Sequence, residues 1–503
     1  MKKILVFCLF ISGIFALNAQ TIDDILKVSY QEYEGTARFA AMGGAFGALG
    51  GDISGIGVNP AGVAVFRKTH ASFTSSLNHI YNNSVVGGIQ SSDSYLRAGI
   101  SSFGVVCVVE DQSQTKWNFG LTYLKKNNFN RRTAVKKKLN ERSIIDYFEE
   151  KANSFPAFYA PEYLNSHNAF SEYNPLDWDV VMAYGTYLID WGEDNYLNAL
   201  ENGDRVYQQL NSLTTGSSRE TTLEIGMNHN DKFFAGILLG MTKLNYRRDV
   251  VYQEYAHENN TSDFDRLAYN TSLKIRGSGV NCKIGIIYKP VQPLRFGLSF
   301  HSPDYFISPY KVTGEDEDYL SAMDNLYSAS MEVQYKSNAT PLWDSPGEDY
   351  YLFLERLSTP YKAIGSFAFI IGKLGLVSMD CEYVDYSRIK LKGVAPTNLF
   401  NSDIKTYFKN AVNMRFGAEM WVKNFALRAG YVFNQSPDKD YDLSRQTYST
   451  GLGWKFKQFN LDFAYVQTNT TDYYTHYTGA DRITENLANR RFSVTFGWTF
   501  DEN

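Results

Sequence analysis

Arg491-Phe492-Ser493-Val494-Thr495-Phe496-Gly497-Trp498-Thr499-Phe500 decides the fold. Every even position is large and apolar; every odd one is polar, charged or Gly. Period-two alternation of this kind is a β-strand with one apolar face. The same pattern recurs along most of the chain, and its apolar faces are rich in Phe, Trp and Tyr. A transmembrane β-barrel calls for this arrangement, with lipid outside and water or polar side chains inside.

Working back from that strand, alternating runs come in pairs joined by very short turns. The pairs are 94–109 with 115–126, 218–228 with 232–247, 276–289 with 294–303, 360–371 with 375–389, 408–422 with 425–435, and 446–456 with 459–469. A single strand at 69–80 precedes them and 490–500 closes the series, which makes fourteen. An even count puts both chain ends on one side, with all short turns there and all long loops opposite. That is the outer-membrane convention of periplasmic turns and extracellular loops. Strand 360–371 breaks the alternation, because Ile364, Phe367, Phe369 and Ile370 leave both faces apolar. The expected class is an all-β, fourteen-stranded antiparallel transmembrane barrel at 68–503, with long extracellular loops at 127–217 and 304–359.

The composition agrees. Aromatic residues make up 15% of the 503, with 34 Phe and 36 Tyr, as interfacial girdles require. No segment after the N-terminus supplies the roughly 18 consecutive apolar residues of a spanning helix. Met1–Ala19 reads as a signal peptide: Lys2-Lys3 start it, Ile4–Leu17 is its apolar core, and Leu17-Asn18-Ala19 is a small-residue cleavage site. Cys8 sits mid-core, which argues against a lipoprotein anchor, and the mature chain is expected to begin at Gln20. Cys107, Cys282 and Cys381 read as small apolar wall residues. A net charge of −5 points away from a nucleic-acid partner.

With apolar positions facing lipid, the lumen is expected to receive Glu224, Lys283, Arg295, Asp380, Glu382, Arg415, Glu419, Arg428, Lys455, Asp462 and Arg491. Gly120, Gly226, Gly236, Gly285, Gly297, Gly417, Gly430, Gly451, Gly453 and Gly497 fall on the same face. Removing side chains there makes room for something inside the barrel, and the Gly- and Ala-rich residues 20–67 are the candidate plug.

Within that stretch, Gly51-Asp52-Ile53-Ser54-Gly55-Ile56-Gly57-Val58-Asn59-Pro60-Ala61-Gly62 resembles the hatch of the FadL/TodX-type outer-membrane transporters, as do Gly35-Thr36-Ala37-Arg38 and Met42-Gly43-Gly44-Ala45. Asn59, Pro60, Ala61 and Gly62 suit a rigid turn: Pro fixes φ, Asn bonds its own backbone and Gly permits φ > 0. The resemblance implies a fourteen-stranded barrel with an N-terminal hatch that carries long-chain fatty acids or other hydrophobic compounds. The chain departs from the family in having a single acidic residue, Asp52, where a pair is common, and in continuing to Asp501-Glu502-Asn503 beyond Phe500.

In the 127–217 loop, Ile144, Ile145, Tyr147 and Phe148 suggest a short amphipathic helix, and Phe155, Phe158, Tyr159, Tyr163 and Phe170 form an aromatic cluster. In the family such loops form the groove where ligand first docks; the plain alternative is aromatic packing of the loop onto the barrel. Lys125, Lys126, Arg131, Arg132, Lys136, Lys137, Lys138 and Arg142 could meet lipopolysaccharide phosphates or form a solvated run. The few His residues lack the i, i+4 spacing of a zinc helix, so no metal, cofactor or catalytic residue is expected.

The resulting expectation is a monomeric barrel in the outer membrane of a Gram-negative bacterium, not an enzyme, in contact with lipopolysaccharide and outer-membrane lipid. It would take up hydrophobic small molecules passively, long-chain fatty acids foremost, through a loop groove, the barrel interior and movement of the hatch. The alternatives are haemin, with His167 or His257 as axial ligand, an aromatic hydrocarbon, or a structural or adhesion barrel.

Overall fold

The computed structural model describes residues 24–109, 114–166, 169–173, 177–306, 323–337, 342–344, 350–351, 356–392 and 397–500. The expected signal peptide, His167 and Asp501–Asn503 lie outside them.

Fourteen strands close into one antiparallel barrel. They are β1 His70–Val86, β2 Ile89–Val108, β3 Thr115–Asn128, β4 Val206–His229, β5 Phe233–Ala256, β6 Phe264–Tyr288 and β7 Leu294–His301, then β8 Lys362–Ile371, β9 Gly375–Asp385, β10 Asn410–Val422, β11 Phe425–Asn434, β12 Arg445–Phe456, β13 Phe459–Tyr474 and β14 Ile483–Thr499. Each pairs with the next, and β14 returns to β1 with Phe496 opposite Phe73. The alternation read in β14 holds in space: Phe492, Phe496 and Trp498 are 54%, 49% and 41% exposed, whereas Arg491, Ser493 and Thr495 are buried. A belt of exposed Phe, Leu, Ile and Trp around a buried polar interior inverts a soluble protein and suits a bilayer.

The register of the β10–β11 hairpin follows from its two-residue turn Lys423-Asn424. Val422 pairs with Phe425, Met420 with Leu427, Glu419 with Arg428 and Gly417 with Gly430. Lys423 takes a left-handed φ of 55°. The doubly apolar strand, β8, has a physical reason: Phe367 and Phe369 face lipid, whereas Ile364 and Ala368 pack against Phe39, Met42 and Phe46 of the N-terminal segment.

Three differences from the sequence expectation stand out. First, β1 runs on to Val86 and turns back into β2 through Gly87-Gly88, so one connection on the loop side is as short as those opposite. Both glycines have positive φ, 51° and 82°, the conformation that a tight two-residue hairpin needs. Second, β4, β5 and β6 are 24, 24 and 25 residues long. Strand Arg131–Asn140 adds to β4 and strand Met323–Tyr335 to β6. The 127–217 stretch therefore contributes strand at both ends. Third, β2 and β3 pair only over Ser102–Val108 with Leu124–Asn118, and above that point they separate.

Residues 24–66 fill the lumen. Residues 24–29 are helical, Ala37–Ala41 forms a helix capped by Thr36, and 3-10 turns follow at Ser54–Gly57 and Pro60–Val65. The lumenal glycines receive this segment. A Cβ at eight of the ten would meet it, among them Gly236 against the Pro60 carbonyl, Gly297 against Gly47 and Gly430 against Gly43. Gly453 and Gly497 face wall side chains instead.

Candidate functional site

The plug is held by its own turns and by the wall. Asn59 precedes Pro60, accepts from Ala61 N at 3.1 Å, and donates through Nδ2 to Gly47 O at 2.6 Å and Ile286 O at 3.1 Å. Ala61 and Gly62 are buried in the 3-10 turn. Gly62 does not use positive φ, contrary to the sequence reading. It is small because a Cβ would come within 3.3 Å of the Gly50 Cα. Asp52 accepts from Thr36 Oγ1 at 2.8 Å and Ser54 N at 2.9 Å, so the motif's acidic residue ties the Ala37–Ala41 helix to the Ser54–Gly57 turn.

Of the eleven charged residues read as lumen lining, eight are buried, Arg295 and Arg415 are half-buried, and Lys455 is exposed. Glu419 is the junction of one network. It accepts from Arg38 Nε and Nη2 of the plug, each at 2.9 Å, and from Arg428 Nε at 2.5 Å, while Arg428 Nη1 reaches Asp462 at 2.5 Å. Arg415 donates to Glu382 at 2.7 Å, and Arg295 to the plug carbonyl of Leu49 at 2.6 Å. Lys283 pairs with Glu220 at 2.7 Å; Glu224 accepts from Thr122 at 2.8 Å and from Thr222. Each of the eight lining residues in these contacts thus meets at least one partner, as burial requires.

Sequence reasoning missed the residues at the β2–β3 separation. There the plug replaces the lost neighbour: Glu32 N and Glu34 N donate to the Lys126 and Lys125 carbonyls at 2.7 and 3.0 Å. Glu34 then bridges the notch, accepting from Ser101 Oγ on β2 at 2.7 Å and Ser76 Oγ on β1 at 3.2 Å, with Lys125 Nζ of β3 at 2.9 Å. Lys126 points inward too, to Asp304 at 2.8 Å and Glu220 at 3.3 Å. Two successive residues face the lumen because the register of β3 against β4 shifts between Lys125 and Asn127. Beside the notch lies a cavity of about 110 Å³, walled by Ile80, Phe129 and Leu487, by Arg131, Arg445 and Arg491, and by the acidic Glu32, Glu34 and Asp472.

The basic run is expected at an exposed rim; Arg132, Lys136 and Lys137 are exposed, and the other five residues turn to acidic partners within the chain. Lys125 and Lys126 serve the lumen, Arg131 pairs with Asp472 at 2.7 Å, Lys138 with Asp481, and Arg142 with Glu150 at 2.6 Å. Lys137 lies over the rings of Tyr207 and Tyr255 at 4.6 and 4.5 Å, and Arg132 lies over Tyr95 at 5.6 Å. These contacts direct the run to acidic and aromatic groups of the chain itself.

The loop aromatics do not form one open groove. Tyr159 is buried, and Phe155 and Phe170 pack on the apolar core of the extracellular loop, while Phe158 and Tyr163 are about half exposed. The expected amphipathic helix is Ile144–Ser154, closed by a Ser143–Asp146 capping box. Its Lys151 reaches Asp179 at 2.8 Å. Burial pushes the Asp179 carboxyl above the usual carboxylate range, and Lys151 offsets part of that. His257 lies beside Tyr207 with ring centroids 5.6 Å apart and the rings tilted by 32°. Among the described residues no group of three or more His, Cys, Asp or Glu is placed to hold a metal.

No protein-family model matches the sequence, and no curated protein matches it. Among solved structures, a Pseudomonas aeruginosa FadL homologue is similar at 12% identity, with 94% of this chain and 100% of that chain covered and a TM-score of 0.52. The P. putida toluene transporter TodX is similar at 10% identity, with the same coverage and a TM-score of 0.51. At these identities the likeness is one of fold, and at that level the resemblance drawn from Asn59–Gly62 and the strand count is met. The chain has the fold of the FadL homologue and of TodX, an outer-membrane β-barrel.

Proposed function

We propose that this barrel takes up hydrophobic small molecules passively across the outer membrane, with long-chain fatty acids as the favoured cargo and residues 20–67 as a movable hatch. One observation carries the reading: the wall between β2 and β3 is completed by plug residues 32–34 rather than by the next strand. Backbone groups in a bilayer must be bonded. A plug segment that satisfies a strand edge is therefore also a door, because its withdrawal leaves a notch from the lumen to the lipid. A ligand that reaches the adjoining cavity would leave sideways into the membrane, where its chain is soluble. The Glu419–Arg38 junction and the Asn59–Gly62 turn hold the remainder of the plug in place. Arg445 and Arg491, in no ion pair with a described residue, stand beside Ile80, Phe129 and Leu487 and support a cargo with an acidic head and an apolar chain over a bare hydrocarbon.

Mass spectrometry of small molecules released from gently purified protein tests the cargo. Recovered fatty acids support the reading. Haem or aromatic hydrocarbon would overturn the substrate class and keep the route. A protein that copurifies with no apolar ligand, and does not transfer fatty acid into vesicles, would favour a structural or adhesion barrel.

A further inference from the structure

We propose that the periplasmic rim is a collar for anionic phospholipid headgroups. Each of the six short turns carries a lysine in it or within two residues of it: Lys116, Lys232, Lys289, Lys373, Lys423 and Lys457. The turns recur at every second strand, so the six charges circle the barrel at one level. None of the six makes an ion pair with a described residue. Asp231, the described acidic residue in these turns, is held by Arg67 and Asn228; Glu110 and Asp111 lie outside the described residues.

At the extracellular end Lys125, Arg131, Lys138 and Arg142 are paired with Glu34, Asp472, Asp481 and Glu150, and Arg132, Lys136 and Lys137 are exposed without a common level. Six unpaired lysines held at one level by six turns present a ring to something anionic. The level of the ring says what. Trp117, Tyr288, Phe425 and Phe456, exposed and within two residues of collar lysines in sequence, mark the apolar–polar boundary of the membrane. Lys457 Nζ already lies over the Phe456 ring at 5.6 Å, a long side chain reaching along the boundary. Lysines at that depth stand among lipid phosphates of the periplasmic leaflet, and net negative headgroups satisfy them better than zwitterionic ones.

Native mass spectrometry of the full chain in neutral detergent tests this, with phosphatidylglycerol and phosphatidylethanolamine of equal acyl length as probes. An engaged lysine should give the anionic lipid a preference of about fivefold, and raised salt should erase it. A variant with all six lysines changed to Gln should lose the preference; if it fails to assemble, the pair K373Q/K423Q should reduce it. The substitution Lys136→Gln, on the extracellular side, should leave it intact. Equal retention of the two lipids by the natural chain overturns the collar. So does a preference that survives in an assembled collar variant, or one abolished by Lys136→Gln.

Discussion

Gly236 shows how the plug and the wall specify each other one atom at a time. A Cβ there would press into the Pro60 carbonyl carbon and the Ala61 nitrogen. Gly236→Val should therefore assemble as a barrel, read by heat-modifiable electrophoretic migration, yet expose residues 24–66 to protease. A plug as resistant as in the natural chain would show that the turn has slack. The outer face makes the complementary prediction. Phe416 faces lipid on β10 opposite Met379 and Tyr431. Phe416→Arg should cost about 2–4 kcal/mol of folding into vesicles if the position is near the bilayer midplane. Such residues were legible in the sequence because alternation in a barrel has only two answers, and a slip by one would invert them all. Lys125 and Lys126 were not, because a one-residue bulge resets the alternation without leaving a mark in composition.

At the scale of elements, what was legible and what was not divide by environment. Strands that cross the lipid declare themselves through Phe, Leu and Trp, so the six hairpins with short turns were placed from sequence. The upper parts of β1 and β2 read as loop because Asn82, Asn83, Ser84, Ser91, Ser92 and Asp93 are polar on both faces once the strands leave the membrane. The loop helix Ile144–Ser154 was readable from its apolar face, but its ion pair with Asp179, 28 residues on, was not. That pair makes a signed prediction. Burial raises the Asp179 carboxyl, with Lys151 offsetting part, so protonation favours the folded loop; its stability should rise as pH falls toward the ordinary carboxylate range and drop as pH rises through the folded value. Burial raises Asp146 of the same helix in the same direction. Limited proteolysis of the loop should accordingly slow in mild acid, and Asp179→Asn should flatten that dependence. Lys151→Met, which strands a buried carboxylate, should cost the loop about 3–5 kcal/mol at neutral pH; unchanged proteolysis at pH 7 would remove the pair from the account.

At the scale of the whole molecule, the barrel is a wall with one seam, and the same segment closes both the seam and the bore. Most of the ring is zipped by long ladders, such as the 24 residue pairs of β4 with β5. The six pairs of β6 with β7 are prolonged by Tyr305–Phe306 and Met323–Tyr335 on the β6 edge, whereas β2 and β3 share seven. Glu34 spans the deficit by binding three strands at once. Two kinds of leak can therefore be separated. Removing residues 24–66 should empty the bore and let small sugars through, read as swelling of protein-loaded vesicles. Glu34→Ala should loosen only the seam: sugar should stay excluded, because Arg38 and Asn59 still hold the plug, while transfer of a fluorescent fatty acid into the vesicle bilayer should change several-fold. The direction of that change is informative. Faster transfer means the door limits the rate, whereas slower transfer means Glu34 also positions the cargo. Fatty-acid transfer unaltered in an assembled Glu34→Ala protein would exclude the seam as the route and return the path to the bore, past the Arg38–Glu419 junction.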